Sequence, residues 1–210
     1  MICTAVLLLP ALVAAVEKPS PMLLHSAYTP FTKEDTLDVS GIPRLAKQAK
    51  AFGVNTVFVG GSMAEFDTMS IDERKTLMDA WLAAARDNEL YTIVNVGTTV
   101  IADAKDLARH AARNGADAFA TVPPYYNRAA TVDILVEWLA DLASAAPELP
   151  FWYYHLPDVT HVDFSMADLL PVSVCGLTSL VCCFCASRRA VVVSSLGCLA
   201  HRVVSLVNNA

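Results

Sequence analysis

Between residues 23 and 170 this chain alternates short runs of β-branched and aromatic residues with longer stretches of helical period, five times over. The short runs cover 23–28, 56–59, 91–96, 118–122 and 151–154, and the helical stretches cover 39–52, 71–88, 102–114, 132–145 and 165–170. Leu45, Ala49 and Phe52, and likewise Leu107, Ala111 and Ala112, form apolar stripes at the spacing that one helix face buries. Gly53, Asn88 and Gly115 stand where helices should stop, since the residue past a helix end often needs a left-handed backbone. Short strands that are apolar on both faces must be covered on both sides, which is the condition of a parallel sheet flanked by helices. The pattern specifies an α/β fold: a partial (β/α)8 TIM barrel of about five βα units, or an open doubly wound sheet.

Composition divides the chain. Up to Val172 there are 12 Lys+Arg against 21 Asp+Glu, whereas 173–210 holds three arginines, no acids and five of the six cysteines. We therefore expect three parts: an apolar N-terminal extension at 1–21, the barrel segment at 22–172 and a divergent Cys-rich tail at 173–210. Ile2 to Val16 is almost wholly apolar and ends near Ala14 and Ala15, like the hydrophobic region and cleavage site of a signal peptide. It lacks a basic start, Pro10 interrupts it, and it is shorter than the ~20 residues of a bilayer-spanning helix. Arg188, Arg189, His201 and Arg202 interrupt the tail in the same sense, so no membrane partner is expected. The net charge of −6 gives no reason to expect nucleic acid.

Two clusters have metal-like spacing. Cys182-x2-Cys185-x12-Cys198-x2-His201 could hold zinc, but the Val191-Val192-Val193 run between its halves reads as a strand. His155, Asp158, His161 and Asp163 read better as solvated loop residues. No metal is expected at either.

Parallel α/β proteins carry their chemistry at the C-terminal ends of the strands. Those ends here are Tyr28 to Phe31, Gly60 to Glu65, Asn95 to Thr99, Pro123 to Tyr126 and Tyr154-His155-Leu156-Pro157. The pair Gly60-Gly61 followed by Ser62 allows close backbone approach, so its N–H groups and the Ser62 hydroxyl could hold a carboxylate or phosphate. A plain tight turn is the competing reading. Tyr154 at a strand end suggests a proton relay for carbonyl chemistry. Its usual partner is a later lysine, and the last lysine in this chain is Lys105.

The segments Ala27 to Phe31, Gly60 to Glu65 with Ser70 to Arg74, Val122 to Tyr126, and Ala145 to Pro150 running into Tyr154-His155-Leu156-Pro157 resemble the N-acetylneuraminate lyase branch of the dihydrodipicolinate synthase and sialic acid aldolase family. The resemblance implies a (β/α)8 barrel, a cytoplasmic homotetramer and a class I aldolase that needs no metal or other cofactor. If 1–16 is a cleaved signal, the chain is secreted instead. The reaction implied is retro-aldol cleavage of N-acetylneuraminate, a sialic acid, to N-acetylmannosamine and pyruvate. A strand-six lysine forms a Schiff base with the keto carbon, the tyrosine matching Tyr154 shuttles the proton, and the positions matching Ser62 and Met63 bind the substrate carboxylate. A tyrosine matching Tyr125 or Tyr126 neighbours the site. Dihydrodipicolinate synthases carry an arginine shortly after the relay tyrosine, and this chain has none between Arg128 and Arg188. The Tyr-His-x-Pro run with Thr160 favours the lyase branch and makes Thr160 a further expected neighbour of the site.

Three departures bear on activity. Met63 replaces a second hydroxyl residue. Ala64 replaces a glycine, which is harmful if that position needs a positive φ. The lysine region reads Leu180-Val181-Cys182-Cys183-Phe184-Cys185, and no other side chain can form the Schiff base. The expectation is a lyase by descent, truncated after its fifth strand–helix unit and inactive, with a tail that reads as an alternative exon or translated non-coding sequence. Five strands of an eight-stranded barrel would leave two open edges and favour aggregation. The alternatives are a non-catalytic isoform or pseudoenzyme that binds a keto acid or a partner subunit, and a dihydrodipicolinate synthase-like enzyme.

Overall fold

The structure is a computed structural model, and it describes residues 23–165, 168–169, and the backbone of 180–185, 191–193 and 203–205. Strands and helices alternate as β1 (Leu24–Ser26), α1 (Ile42–Ala51), β2 (Thr56–Val59), α2 (Ile71–Asp87), β3 (Tyr91–Asn95), α3 (Ile101–Arg113), β4 (Ala118–Thr121), α4 (Val132–Ala143) and β5 (Phe151–His155). A one-turn helix α5 (Pro157–Thr160) and strands β6 (Leu180–Cys185), β7 (Val191–Val193) and β8 (Val203–Ser205) follow. Short 3-10 turns precede α1 at Val39–Gly41 and follow β2 at Ser62–Ala64.

The main sheet is parallel and runs β1-β2-β3-β4-β5-β6, each strand beside its predecessor in the chain. A doubly wound sheet reverses direction at a switch point. This one never does, so the chain forms part of a TIM-type barrel. Curvature gives the same answer. In a flat sheet β2 and β5 would lie three strand spacings apart, about 14 Å. The rings of Phe58 on β2 and Tyr154 on β5 nevertheless meet edge-on with centroids 5.0 Å apart. The sheet is rolled, and both side chains point into its hollow. Registered partners share a face, so Ser26, Phe58, Ile93, Ala118 and, one layer higher, Asn95 and Ala120 line the same hollow.

The opposite face packs under the helices. Val57, Val94, Phe119, Phe151 and Tyr153 join Ile42, Leu77, Trp81, Leu107, Leu135 and Leu139 in one buried core. Phe119 stacks on its registered partner Phe151 at 4.8 Å. Lys75–Asp106 and Asp79–His110 tie α2 to α3, and Lys105–Asp141 ties α3 to α4. Such half-exposed pairs stabilise by about 0–1 kcal/mol each, so burial dominates.

Local signals explain where the helices begin and end. Ser70 caps α2 by accepting from the Glu73 N–H, while the Glu73 carboxylate accepts from the Ser70 N–H at 2.8 Å. Gly53 and Gly115 end α1 and α3 with φ of +79° and +82°. At the end of α2 the left-handed residue is Glu89, at φ 51°, one place past Asn88. The α1 stripe also needs correction. Ile42, Ala46 and Ala49 are its buried residues, while Phe52, already the cap, is 73% exposed.

Strands β6 and β7 fall within the tail, and β7 pairs antiparallel with β8. The expected helix at 165–170 shows only Asp168 and Leu169 as helical, its other inner positions lying outside the described residues. The N-terminal extension expected at 1–21 and the side chains of the tail's Cys/His spacing also lie outside them. Among the described residues, no helix is long and apolar enough to cross a membrane.

Candidate active site

The site is built at the C-terminal rim of the rolled sheet, where the turn after β2 faces the end of β5. Gly60 leaves β2 with φ +68°, a conformation open to glycine at little cost. Gly61 lies against the Phe58 ring, and a Cβ there would come within 2.6 Å of it. The chain then folds into the 3-10 turn at Ser62–Ala64. The left-handed residue is Glu65, at φ 55°, so Ala64 occupies an ordinary right-handed position and carries no strain. The Thr29 hydroxyl donates to the Ala64 carbonyl at 2.7 Å, tying the β1 loop to this turn.

The Ser62 hydroxyl and the Tyr154 hydroxyl are 3.5 Å apart, at the limit of a hydrogen bond. Tyr154 is 6% exposed, so its ring is buried while its hydroxyl reaches the exposed Ser62. The N–H groups of Gly61, Ser62 and Met63 meet no acceptor among the described residues. A cradle of donors thus lies beside a tyrosine hydroxyl, an arrangement suited to a carboxylate whose neighbouring carbon exchanges a proton. Met63 points outward, 49% exposed, and offers its backbone alone.

The other expected site residues separate. Tyr125 packs edge-on against Phe66, 6.3 Å between centroids, on the α2 side of the rim. Burial and the nearby Asp67 carboxylate push its phenol above the ordinary value, while Arg74 opposes them. Tyr126 is 82% exposed. Thr160 is buried, and its hydroxyl donates to the Leu156 carbonyl at 2.8 Å and accepts from the Val162 N–H, so it serves the α5 turn. His155 points to the helix side of β5. Its Nε2 lies 3.9 Å from Asp163, and its buried Nδ1 has no partner among the described residues. Burial pushes this imidazole below its ordinary value, against the opposing pull of Asp163. Among the described residues no group of three or more His, Cys, Asp or Glu is gathered as a metal site would require.

Two residues to which the sequence reading gave no role dominate the support of the rim. Asn95, at the end of β3 and 2% exposed, donates from Nδ2 to the Gly60 carbonyl at 2.7 Å and accepts from the Gly97 N–H at 3.1 Å. Arg74, in the first turns of α2 and 5% exposed, donates to the Gly97 carbonyl at 2.8 Å and the Asn95 carbonyl at 2.9 Å. Its guanidinium stands over the Phe66 ring at 5.3 Å. Burial lowers its pKa to about 10, which leaves it charged at neutral pH. The sequence signal was an arginine directly behind the capping box, at helical spacing from the buried Leu77, Met78 and Trp81.

On β6, the positions registered with Tyr154 and His155 are Phe184 and Cys185. Of the six lysines, Lys47, Lys50, Lys75 and Lys105 lie on helices, Lys33 is exposed in the loop after β1, and Lys18 lies outside the described residues.

Comparison with known proteins agrees with this geometry. The Dihydrodipicolinate synthetase family model matches residues 21–174. N-acetylneuraminate lyase A of Xenopus laevis is 37% identical over 149 residues, covering 70% of this chain and 49% of the relative. The Homo sapiens N-acetylneuraminate lyase is 34% identical over the same length, with 47% of it covered. Among solved structures, the Proteus mirabilis N-acetylneuraminate lyase superposes with TM-score 0.74 at 30% identity, covering 78% of this chain and 56% of that one. The chain therefore spans about half the length of the curated relatives it matches. A rolled parallel sheet, a donor-rich turn facing a strand-five tyrosine, and a family match over most of the chain lead to one assignment: the chain belongs to the dihydrodipicolinate synthetase family.

Proposed function

We propose that this chain is an N-acetylneuraminate lyase-type barrel segment that binds the carboxylate end of a small keto acid, pyruvate or the open chain of sialic acid, without cleaving it. The observation that carries this reading is the approach of Ser62 to Tyr154 at 3.5 Å, beside the N–H groups of Gly61 to Met63, which have no acceptor among the described residues. The Ser62 hydroxyl and these N–H groups would hold the two carboxylate oxygens, and Tyr154 would hydrogen-bond to the carboxylate or to the adjacent keto oxygen.

Class I aldol cleavage needs an amine that converts the ketone to a protonated imine, which then accepts the electron pair of the breaking carbon–carbon bond. From residue 106 to 210 the chain contains no lysine. Without that amine the ketone stays a ketone, the bond has no electron sink, and Tyr154 has no carbanion to protonate. Met63 also supplies no hydroxyl, so the carboxylate is held by fewer donors than two hydroxyl residues would provide.

Borohydride reduction of the 210-residue chain with pyruvate, read by mass spectrometry, tests the chemistry; saturation-transfer NMR with pyruvate tests the binding. The expected result is pyruvate binding without a covalent adduct. An adduct would overturn the non-cleaving assignment, and absence of pyruvate binding would overturn the keto-acid site.

A further inference from the structure

We infer that Asn95, backed by Arg74, is the positioning residue that fixes the peptide plane of the carboxylate cradle beside Tyr154, a role that rests on the keto-acid reading of the site. The peptide between Gly60 and Gly61 has glycine on both sides, so either orientation of its plane is sterically open. Only a partner on its carbonyl or N–H can choose between them. That partner is Asn95, whose Nδ2 reaches the Gly60 carbonyl at 2.7 Å from inside the hollow. In a trans peptide the C=O and N–H point in opposite directions. Holding the carbonyl on Asn95 therefore fixes the plane of this peptide and keeps the Gly60 oxygen on Asn95, and among the described residues the Gly61 N–H keeps no other acceptor.

The carboxamide is itself held at both ends. Its Oδ1 accepts from the Gly97 N–H, which fixes its flip state, because only that orientation pairs a donor with the Gly60 carbonyl. Arg74 then grips the Asn95 and Gly97 carbonyls. The Gly97 backbone packs closely on the next strand end, where a Cβ at Gly97 would come within 2.7 Å of Val122. An asparagine is required because the position needs one donor and one acceptor at fixed separation. Aspartate has the same shape without the donor.

That difference supplies the test. In Asn95→Asp at about pH 8 the carboxylate faces the Gly60 carbonyl with no proton between them, and the peptide should turn. At about pH 5 a buried carboxyl takes up a proton and can donate again. Pyruvate binding by Asn95→Asp should be about tenfold weaker than wild type at the higher pH and return to within about threefold at the lower. Asn95→Ala should bind weakly at both. The Gly61 and Ser62 amide NMR signals of Asn95→Asp should move from displaced to wild-type positions over the same pH range, a reversal that general loss of packing would not produce.

The inference is overturned if those amide signals in Asn95→Asp match wild type at both pH values. If wild type fails to bind pyruvate, the keto-acid reading falls, and the amide signals still decide the role of Asn95. If the variant does not fold, the wild-type chain decides: a through-hydrogen-bond coupling from the Asn95 side-chain nitrogen to the Gly60 carbonyl carbon is expected, and its absence overturns the inference.

Discussion

Ser62 and Tyr154 are 92 positions apart in the chain, and their hydroxyl oxygens lie 3.5 Å apart. Neither is brought there by a neighbouring strand. Ser62 follows β2, Tyr154 is the penultimate residue of β5, and only the rolling of the sheet closes the gap. Their contribution should therefore appear in ligand binding more than in stability. Ser62→Ala and Tyr154→Phe should each weaken pyruvate binding by about 0.5–1.5 kcal/mol, with urea midpoints shifting little. A double-mutant cycle in binding should be non-additive, because both hydroxyls address one carboxylate. Strict additivity, measured by titration calorimetry, would mean that the two do not share a ligand.

Backbone shape should matter as much as the hydroxyls. Gly61→Ala places a methyl where the Phe58 ring lies at 2.6 Å, and that ring buttresses Tyr154 from 5.0 Å. The substitution should cost about 1–3 kcal/mol of stability and also weaken pyruvate binding. Gly41→Ala is the control, since nothing lies within 4 Å of a Cβ there. Equal urea midpoints for the two variants would refute the crowding argument.

The sequence carried the fold well because four of the five short apolar runs are almost wholly buried strands of a covered sheet, the first being half-buried, and they alternate with longer stretches of helical period. Runs 56–59 and 91–96 became Thr56–Val59 and Tyr91–Asn95, with all but the first residue of β3 buried. Phe52 misled because its spacing from Ala49 suits a continuing helix, whereas the backbone leaves the helix at that residue. The site was legible in part. Ser62 and Tyr154 lie at strand ends, where the sequence predicts chemistry. Asn95 and Arg74 act through backbone carbonyls and N–H groups of other strand ends, partners that no residue spacing reveals. Thr160 read as a site neighbour because its role, closing the α5 turn, depends on a one-turn helix too short to leave a periodic signal.

Stability should depend on pH through His155. Its folded-state pKa is held below the ordinary 6.5 by burial. Between the depressed value and 6.5 the unfolded chain binds more protons than the folded one, so stability rises with pH. The contribution is fully present above about pH 6.5 and is lost as pH falls through the folded pKa. Urea titrations from about pH 5 to 7.5 should show this slope, and His155→Gln should flatten it. An unchanged slope in the variant would remove His155 as its source.

Phe119 and Phe151 set the strength of the scaffold beneath the site. Both are fully buried, stacked at 4.8 Å and registered across β4 and β5. Phe119→Ala should cost about 3–5 kcal/mol, a large fraction of the about 5–15 kcal/mol that holds a domain together. Phe119→Leu should cost much less, since it refills most of the space. Chemical denaturation of the two variants measures the difference, and similar losses would indicate that stacking geometry outweighs volume.

The non-cleaving reading proposed above can be tested by supplying an amine. Phe184 is the β6 position registered with Tyr154, and in a parallel pair registered residues share a face of the sheet. Phe184→Lys therefore introduces an amine at the β6 backbone position registered with the tyrosine, and imine formation with a bound keto acid requires such an amine. Borohydride with pyruvate should trap an adduct on Phe184→Lys and leave wild type unmodified. Peptide mapping should locate the adduct at position 184 and not at Lys33 or the helical lysines. Adding Ser62→Ala should lower the yield, because the carboxylate would lose its anchor while the amine remains. An adduct insensitive to Ser62 would show that the lysine reacts with free pyruvate from solution, and the carboxylate cradle would lose its principal support.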